Sequence, residues 1–377
     1  MRKMAFAAGA LVLALAAGRL ATPGARADEA WDKVVAAAKQ EGSVILWGDV
    51  GAARRAFWKE AFEKDNPGIT VDLFQTPNSN TRDARYQRER DAGLASVDLF
   101  VGGSAGLIGR IKPLGFLQPI RSMMKPEILD DKAWLLGAPL WVDHENEYML
   151  ISDYQVAITA AVNPSVGDKG VQSWEDLLDP KYDGKIVMED PRQAGPGFAT
   201  GLFIYYEPRL GPDFFRRLFA HGRIVFSPDE EQNVEWVGSG RVLVNLAPNA
   251  VQVAAVQQLG VKIRTLSDLK AKGQSVAYVF SSDGILSVPK LDDDKPLPHP
   301  DAAKVYINWF YSKAGQQAMA NIDKVPSYRK DIDLSAVPPT MIRQPEVDYV
   351  NLNDERFVSK EAAQKMRDDL TAVINGK

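Results

Sequence analysis

The sequence predicts an α/β protein of two lobes, and three observations lead there. Between Val44 and Val101 apolar runs and amphipathic segments alternate as strand, helix, strand, helix, strand, the order that builds a parallel sheet. A second strand, loop and helix unit lies far downstream, KYDGKIVMEDPRQAGPGFATGLFIYY at Lys181–Tyr206. The chain left after an export signal has about 350 residues, more than a single core organises, so two lobes are the default.

Residues Met1 to Ala27 read as that signal: Arg2 and Lys3, an apolar stretch from Met4 to Ala17, and Ala25-Arg26-Ala27 as a small-residue cleavage site. The apolar stretch is shorter than the roughly 20 residues that span a bilayer. The expected location is therefore the periplasm, with the signal removed. The segment holds four of the 45 basic residues and none of the 49 acidic ones, which leaves 41 against 49 and a formal charge of −8. Such a balance disfavours nucleic acid or an anionic membrane as partner. With no cysteine in the chain, disulfides, thiol catalysis and cysteine-held metals are excluded.

Trp31, Val34, Val35 and Ala38 recur at helical spacing, and Gly42 closes that helix. The first strand is Val44 to Trp47, followed by a Gly48–Gly51 loop and a helix that turns Phe57, Ala61 and Phe62 inward. Asn66-Pro67-Gly68 ends it before the second strand, Ile69 to Phe74. A basic helix from Thr81 to Ala92 precedes the third strand, Val97 to Val101, which runs into Gly102-Gly103-Ser104. Tyr148 to Pro164 reads as strands leaving the first lobe. In the second lobe, strands are expected at Ile186–Met188, Arg223–Phe226 and Val242–Leu246, with helices at Pro212–Ala220 and Asp229–Trp236. Tyr278 to Val288 should return the chain to lobe one. Helices beginning near Asp301, Lys313 and Ser359 complete it.

Ligands of open parallel sheets bind beyond the carboxyl ends of the strands. Those ends supply the candidate contacts: Asp49, Asn80, Gly103 and Ser104 from lobe one, Arg192, Gln193 and Gly195 from the loop after Met188, and Asn249 and Ser282 from later loops. Glycines 102 and 103 let a backbone approach closely. Arg82 and Arg85 sit near a helix start, against the helix dipole, which an anion would compensate; pairing with Asp83 or Glu89 is the alternative. Arg192 lies between a strand end and a glycine-rich helix start, where free N–H groups and a guanidinium fork could converge on one oxyanion. Arg82 would add a second cation.

VDLFVGG at Val97–Gly103, SWEDLLDPKYDGKIVMEDPR at Ser173–Arg192 and HPDAAKVYINWFYSKAGQQAM at His299–Met319 carry a resemblance, in order and spacing, over nearly the whole exported chain. The sequence resembles the periplasmic solute-binding proteins of bacterial ABC importers, the two-lobed (type II) group that includes the ferric-iron-binding proteins. The resemblance implies two Rossmann-like lobes joined by a two-strand hinge, a ligand held between them, and delivery to a membrane permease by a monomer. On that plan residues 1–27 are the signal, 28–155 the first segment of lobe one, 156–282 lobe two and 283–377 the C-terminal segment of lobe one. The iron chemistry does not carry over, because iron-binding relatives use adjacent tyrosines where this chain has Ala247-Pro248-Asn249-Ala250. Tyr205-Tyr206 fall in a helix instead, and three separated histidines give a transition metal little to hold.

The expected function is capture of a small organic, anionic solute such as a carboxylate, phosphonate or sugar phosphate, without cofactor, metal or catalysis. Ser104 has no histidine at motif spacing, and Asp49, Asp190 and Asp283 read as acceptors or ion-pair partners. Service to a membrane sensor is the alternative to transport. Processing between Ala27 and Asp28 is the first testable consequence. Intact-mass measurement of the exported protein should give a chain starting at Asp28, and a different start or retention in the membrane refutes it.

Overall fold

A computed structural model describes residues 23–48, 54–76, 79–94, 96–193, 195–281, 284–291 and 295–376. The signal up to residue 22, Asp49 and Ser282 fall outside these residues. The expected cleavage point falls within the first helix, Pro23–Glu41.

The first sheet has five strands in the order Thr70–Gln75, Ser43–Gly48, Leu99–Val101, Leu286–Pro289 and Leu117–Gln118. The first three pair in parallel, Trp47 opposite Phe74 and Phe100, as the alternation predicted. Leu286–Pro289 enters antiparallel beside Leu99–Val101. Strands covered by helices on both faces read as unbroken apolar runs, which accounts for Val44-Ile45-Leu46-Trp47. Helix Pro300–Tyr311 lies on this sheet and against Pro23–Glu41. Trp58 stacks on its Phe310 with ring centres 5.1 Å apart, at the centre of the first core. Trp47 is 1 % exposed, a core aromatic rather than a stacking platform for a ligand.

The second sheet orders Ile224–Phe226, Ile186–Met188, Val244–Leu246, Ala160–Val162 and Arg264–Leu266. Its first three strands are parallel, and Ala160–Val162 is antiparallel to both neighbours. Trp174, Phe203, Phe215 and Tyr278 fill its core. The Tyr278 hydroxyl is 2.6 Å from Thr200 Oγ1, so this ring too is structural.

A third sheet was not expected. Gln274–Phe280 pairs antiparallel with Gln155–Val156 along one edge and parallel with Asp348–Asn351 along the other. The run from Tyr278 to Val288 is thus two strands in two sheets, broken at Ser281. The segment ending in Asp348–Asn351 adds a third connection between the lobes to the two that were anticipated. Its side chains are half polar because the strand is short and half exposed, which hides it from a search for apolar runs.

The C-terminal helix, Lys360–Ile374, was assigned to lobe one and packs instead on lobe two. Met366 and Leu370 are fully buried in the second core, and Tyr205 donates to Asp369 at 2.7 Å. The helix carries one apolar stripe, Ala362, Ala363, Met366 and Leu370, and a stripe specifies burial without naming the surface that provides it. Met366→Ala should cost about 2 to 4 kcal/mol of stability in urea unfolding. Hydrogen exchange should then quicken in Pro196–Tyr206, against which the methionine packs, while the helices of the first core stay protected.

Candidate ligand-binding cleft

The carboxyl ends of the parallel strands of both sheets adjoin the crossings between the lobes. On the lobe-one side Arg82 is the best-ordered group, and it is committed. It is 1 % exposed, and its five N–H groups are all taken. Nε and Nη2 donate to Asp83 Oδ1 at 3.0 and 2.8 Å, Nη1 donates to the carbonyls of Val101 and Gly102 at 3.2 and 2.9 Å, and Nη2 reaches that of Gly103 at 3.4 Å. Burial pulls its pKa below the ordinary value while Asp83 opposes the shift. The expected second cation for a ligand is therefore a clamp on the chain's own loop. Gly103, at φ +69°, makes room for that clamp, since a Cβ there would lie 2.7 Å from Arg82 Nη2. The group in close approach to this glycine is the Arg82 side chain.

Ser104 is buried, and its Oγ accepts from Asn353 Nδ2 at 3.0 Å. Asn80 is exposed in the first turn of helix Ser79–Asp91. Arg85 lies with its guanidinium carbon 4.4 and 4.0 Å from the ring centres of Trp47 and Phe74, and Nε donates to Glu89 at 2.6 Å. Thr76, just after the second strand, is not marked by any sequence pattern. It is 2 % exposed, and its Oγ1 has no partner among the described residues. A lone threonine after an aromatic strand carries no sequence signal.

On the lobe-two side Arg192 Nε and Nη2 grip the Asp190 carboxylate at 2.9 to 3.0 Å and 2.6 Å. Burial raises the Asp190 pKa, but the arginine outweighs it and holds the group below the usual carboxylate range. Nη1 of Arg192 has no partner among the described residues, and the side chain is 37 % exposed. Gln193 is exposed in the same turn. Gly195 caps helix Pro196–Tyr206, and a Cβ on it would come within 2.6 Å of Glu189 Oε2. Glu189, not singled out by the sequence, thus occupies the glycine-rich loop and accepts from Gly197 N at 3.4 Å. Its pKa is raised by burial and by the neighbouring Glu230 carboxyl. Asn249 caps helix Ala250–Gln258, its Oδ1 accepting from Gln252 N at 3.4 Å. Just before it Ala247 is held at φ +54°, a conformation that costs energy for any residue with a Cβ.

The tyrosine pair serves packing: Tyr205 is 3 % exposed, and Tyr206 donates to the Ala362 carbonyl at 3.1 Å. Among the described residues no three His, Asp or Glu side chains gather as a metal site would. One arrangement has the order of a nucleophilic triad: Ser43 Oγ is 3.3 Å from His299 Nε2, and His299 Nδ1 is 2.8 Å from Asp98. It lies at the opposite strand ends. The Asp301 and Ala302 amides that could serve an oxyanion donate to Glu41 instead, and Asp98 also receives Ile45 N and His299 N. The knot fastens a helix to the sheet.

The family model for bacterial extracellular solute-binding proteins matches residues 96–353, more than half of the chain. The chain belongs to that family. No curated protein matches this solute-binding protein. Among solved structures it is similar to the substrate-binding protein of an ABC transporter from Agrobacterium tumefaciens, at 17 % identity and TM-score 0.59, covering 88 % of this chain and 94 % of that one. It is also similar to the periplasmic binding protein AfuA from Actinobacillus pleuropneumoniae, solved with fructose-6-phosphate, at 16 %, 0.59, 89 % and 99 %. Iron-bound HitA from Pseudomonas aeruginosa matches at 18 %, 0.57, 87 % and 99 %. These likenesses establish the fold of two-lobed periplasmic binding proteins. No helix among the described residues is long and apolar enough to cross a membrane.

The clamp has a measurable consequence. Arg82→Ala leaves the buried Asp83 with Arg110 alone, at 2.6 Å, and frees three carbonyls, so stability should fall by about 3 to 5 kcal/mol in denaturant unfolding. A loss below about 1 kcal/mol would show the guanidinium to be dispensable to the fold.

Proposed function

We propose that this protein is the substrate-capturing component of an ABC importer, exported to the periplasm, and that it takes a small organic solute bearing a carboxylate, phosphate or related anion between its lobes for delivery to a permease. The observation carrying the anionic reading is the Nη1 edge of Arg192, unpartnered among the described residues, on the loop between strand Ile186–Met188 and a helix start. Asp190 holds the other edge and pre-orients the fork, so an oxyanion would add to the pair rather than have to break it. On this reading Gln193 and Asn80, both exposed, would line the opening. AfuA, with a sugar phosphate, is a relative of the same fold whose ligand is of this class.

Ferric iron is the less favoured cargo. The loop that would carry the tyrosine pair reads Ala247-Pro248-Asn249-Ala250, and Asn249 is used as a helix cap. Glu189 favours a second reading of the ligand. Its carboxyl lies beside that of Glu230, and among the described residues neither pairs with a cation. A solute with an ammonium as well as an anionic group would satisfy both sides of the loop. Delivery to a membrane sensor, in place of a permease, uses the same binding step.

A thermal-shift panel of carboxylates, phosphonates, sugar phosphates, amino acids and polyamines identifies the ligand, since a compound at 100 times its Kd adds about 2.7 kcal/mol. Calorimetry on Arg192→Ala should then show binding weakened by about 2 to 5 kcal/mol. Arg192→Lys should recover part of the loss, because an ammonium lacks the planar fork. Near-equal affinities, or a preferred ligand without an anionic group, would show that Arg192 only shapes its loop.

A further inference from the structure

Three segments cross between the lobes, and two side chains tie them at one residue, Ser281. Asp153, on the first crossing, is 1 % exposed. Its Oδ1 accepts the Ser281 hydroxyl and, at 3.1 Å, the Gly284 N–H, both from the second crossing. Residue 284 has to be glycine, because a Cβ would fall inside the Asp153 carboxylate. Asn353, on the third crossing, accepts from Ser281 N at 2.5 Å and donates to Ser281 O at 3.1 Å. The same amide donates to Ser104 Oγ at 3.0 Å, so the knot reaches the lobe-one loop that faces the cleft.

We propose that Asp153 is a proton-sensitive latch on the hinge: ionised, it binds the first two crossings together through Ser281 and Gly284, and protonated, it slackens that tie and lets the lobes sample a wider range of angles. A carboxylate accepts more strongly than a neutral carboxyl, and charge-assisted bonds are roughly twice as strong as neutral ones. Among the described residues, Arg54, Tyr311 and Tyr328 are the other ionisable groups facing it. Both tyrosines are pushed up by burial and stay neutral. Among the described residues Asp323, which shares Arg54, is another acid nearby and is pushed to about 6 by burial.

Burial likewise raises Asp153 to about 6 against the lowering by Ser281, Arg54 and the Gly284 N–H. The sign follows from linkage. A folded-state value above the unfolded value of 3.8 means that the native protein takes up the proton first. This group therefore favours folding most below about pH 4 and loses that contribution as pH rises through about 6. Acidification toward pH 5 should loosen the hinge while Asp153 itself favours the folded state, a combination that general acid unfolding cannot produce.

The cysteine-free sequence allows specific spin labelling at Arg88→Cys in lobe one and Gln232→Cys in lobe two, both exposed positions. Pulsed dipolar spectroscopy on the unliganded protein should give a narrow distance distribution at about pH 8 and a broader one at about pH 5, with a midpoint near 6. Asp153→Asn keeps an acceptor oxygen without the charge. It should show the broad distribution at both values, whereas Asp323→Asn should keep the pH response. If Asp153→Asn does not fold, Ser281→Ala removes the hydroxyl alone and should broaden the distribution at about pH 8. Identical wild-type distributions at the two pH values overturn the latch. So does an Asp153→Asn protein that still responds like wild type, or a Ser281→Ala protein that stays narrow.

Discussion

The convergence of Asp153 and Asn353 on Ser281 ties together the three segments that cross between the lobes. Each sheet has its own core and could orient its strand ends independently. The crossings are adjacent through Gln155–Val156, Gln274–Phe280 and Asp348–Asn351, which pair in one small sheet, and just beyond that sheet the two side chains fasten them again. Backbone pairing limits how the segments slide past one another. The side-chain knot, buried where a free polar group would be costly, limits how they bend.

The loops at the cleft are shaped by the protein's own charged groups. In lobe one the Arg82 guanidinium fills the space that Gly103 leaves and holds three consecutive carbonyls, so the loop after Leu99–Val101 is organised before any solute arrives. In lobe two Glu189 occupies the space that Gly195 leaves, and Asp190 aims Arg192. Such preorganisation reduces the ordering cost of binding. It also means that a glycine in these loops marks an internal contact at least as often as a ligand's approach.

The two sides differ in what remains unsatisfied. Among the described residues, the unpartnered Thr76 hydroxyl of lobe one is buried, while in lobe two one edge of the Arg192 guanidinium and the adjacent Glu189 and Glu230 carboxyls have no charged partner. Polar groups held in a partly dry cleft favour a solute whose groups are spaced to match them, because each mismatch leaves a buried group unpaired. Discrimination among small solutes would then come chiefly from lobe two, with lobe one closing over the remainder.

By itself the sequence determined the α/β class, the two lobes, the parallel cores and the family, because these rest on local periodicity and on motif order. Strands such as Val44–Trp47 and Ile186–Met188 declare themselves by apolar runs, and Arg192 by its place between a strand and a glycine-rich turn. Tertiary structure decided which lobe receives the stripe of helix Lys360–Ile374 and that a half-polar strand at Asp348–Asn351 forms a third crossing. It also decided that Arg82 is spent on Asp83 and backbone carbonyls, while Arg192 keeps an edge without a partner among the described residues. The reason is the range of the interactions: Asn353 meets Ser104 and Asp153 meets Ser281 across separations of 249 and 128 residues, where no local pattern can choose the partner.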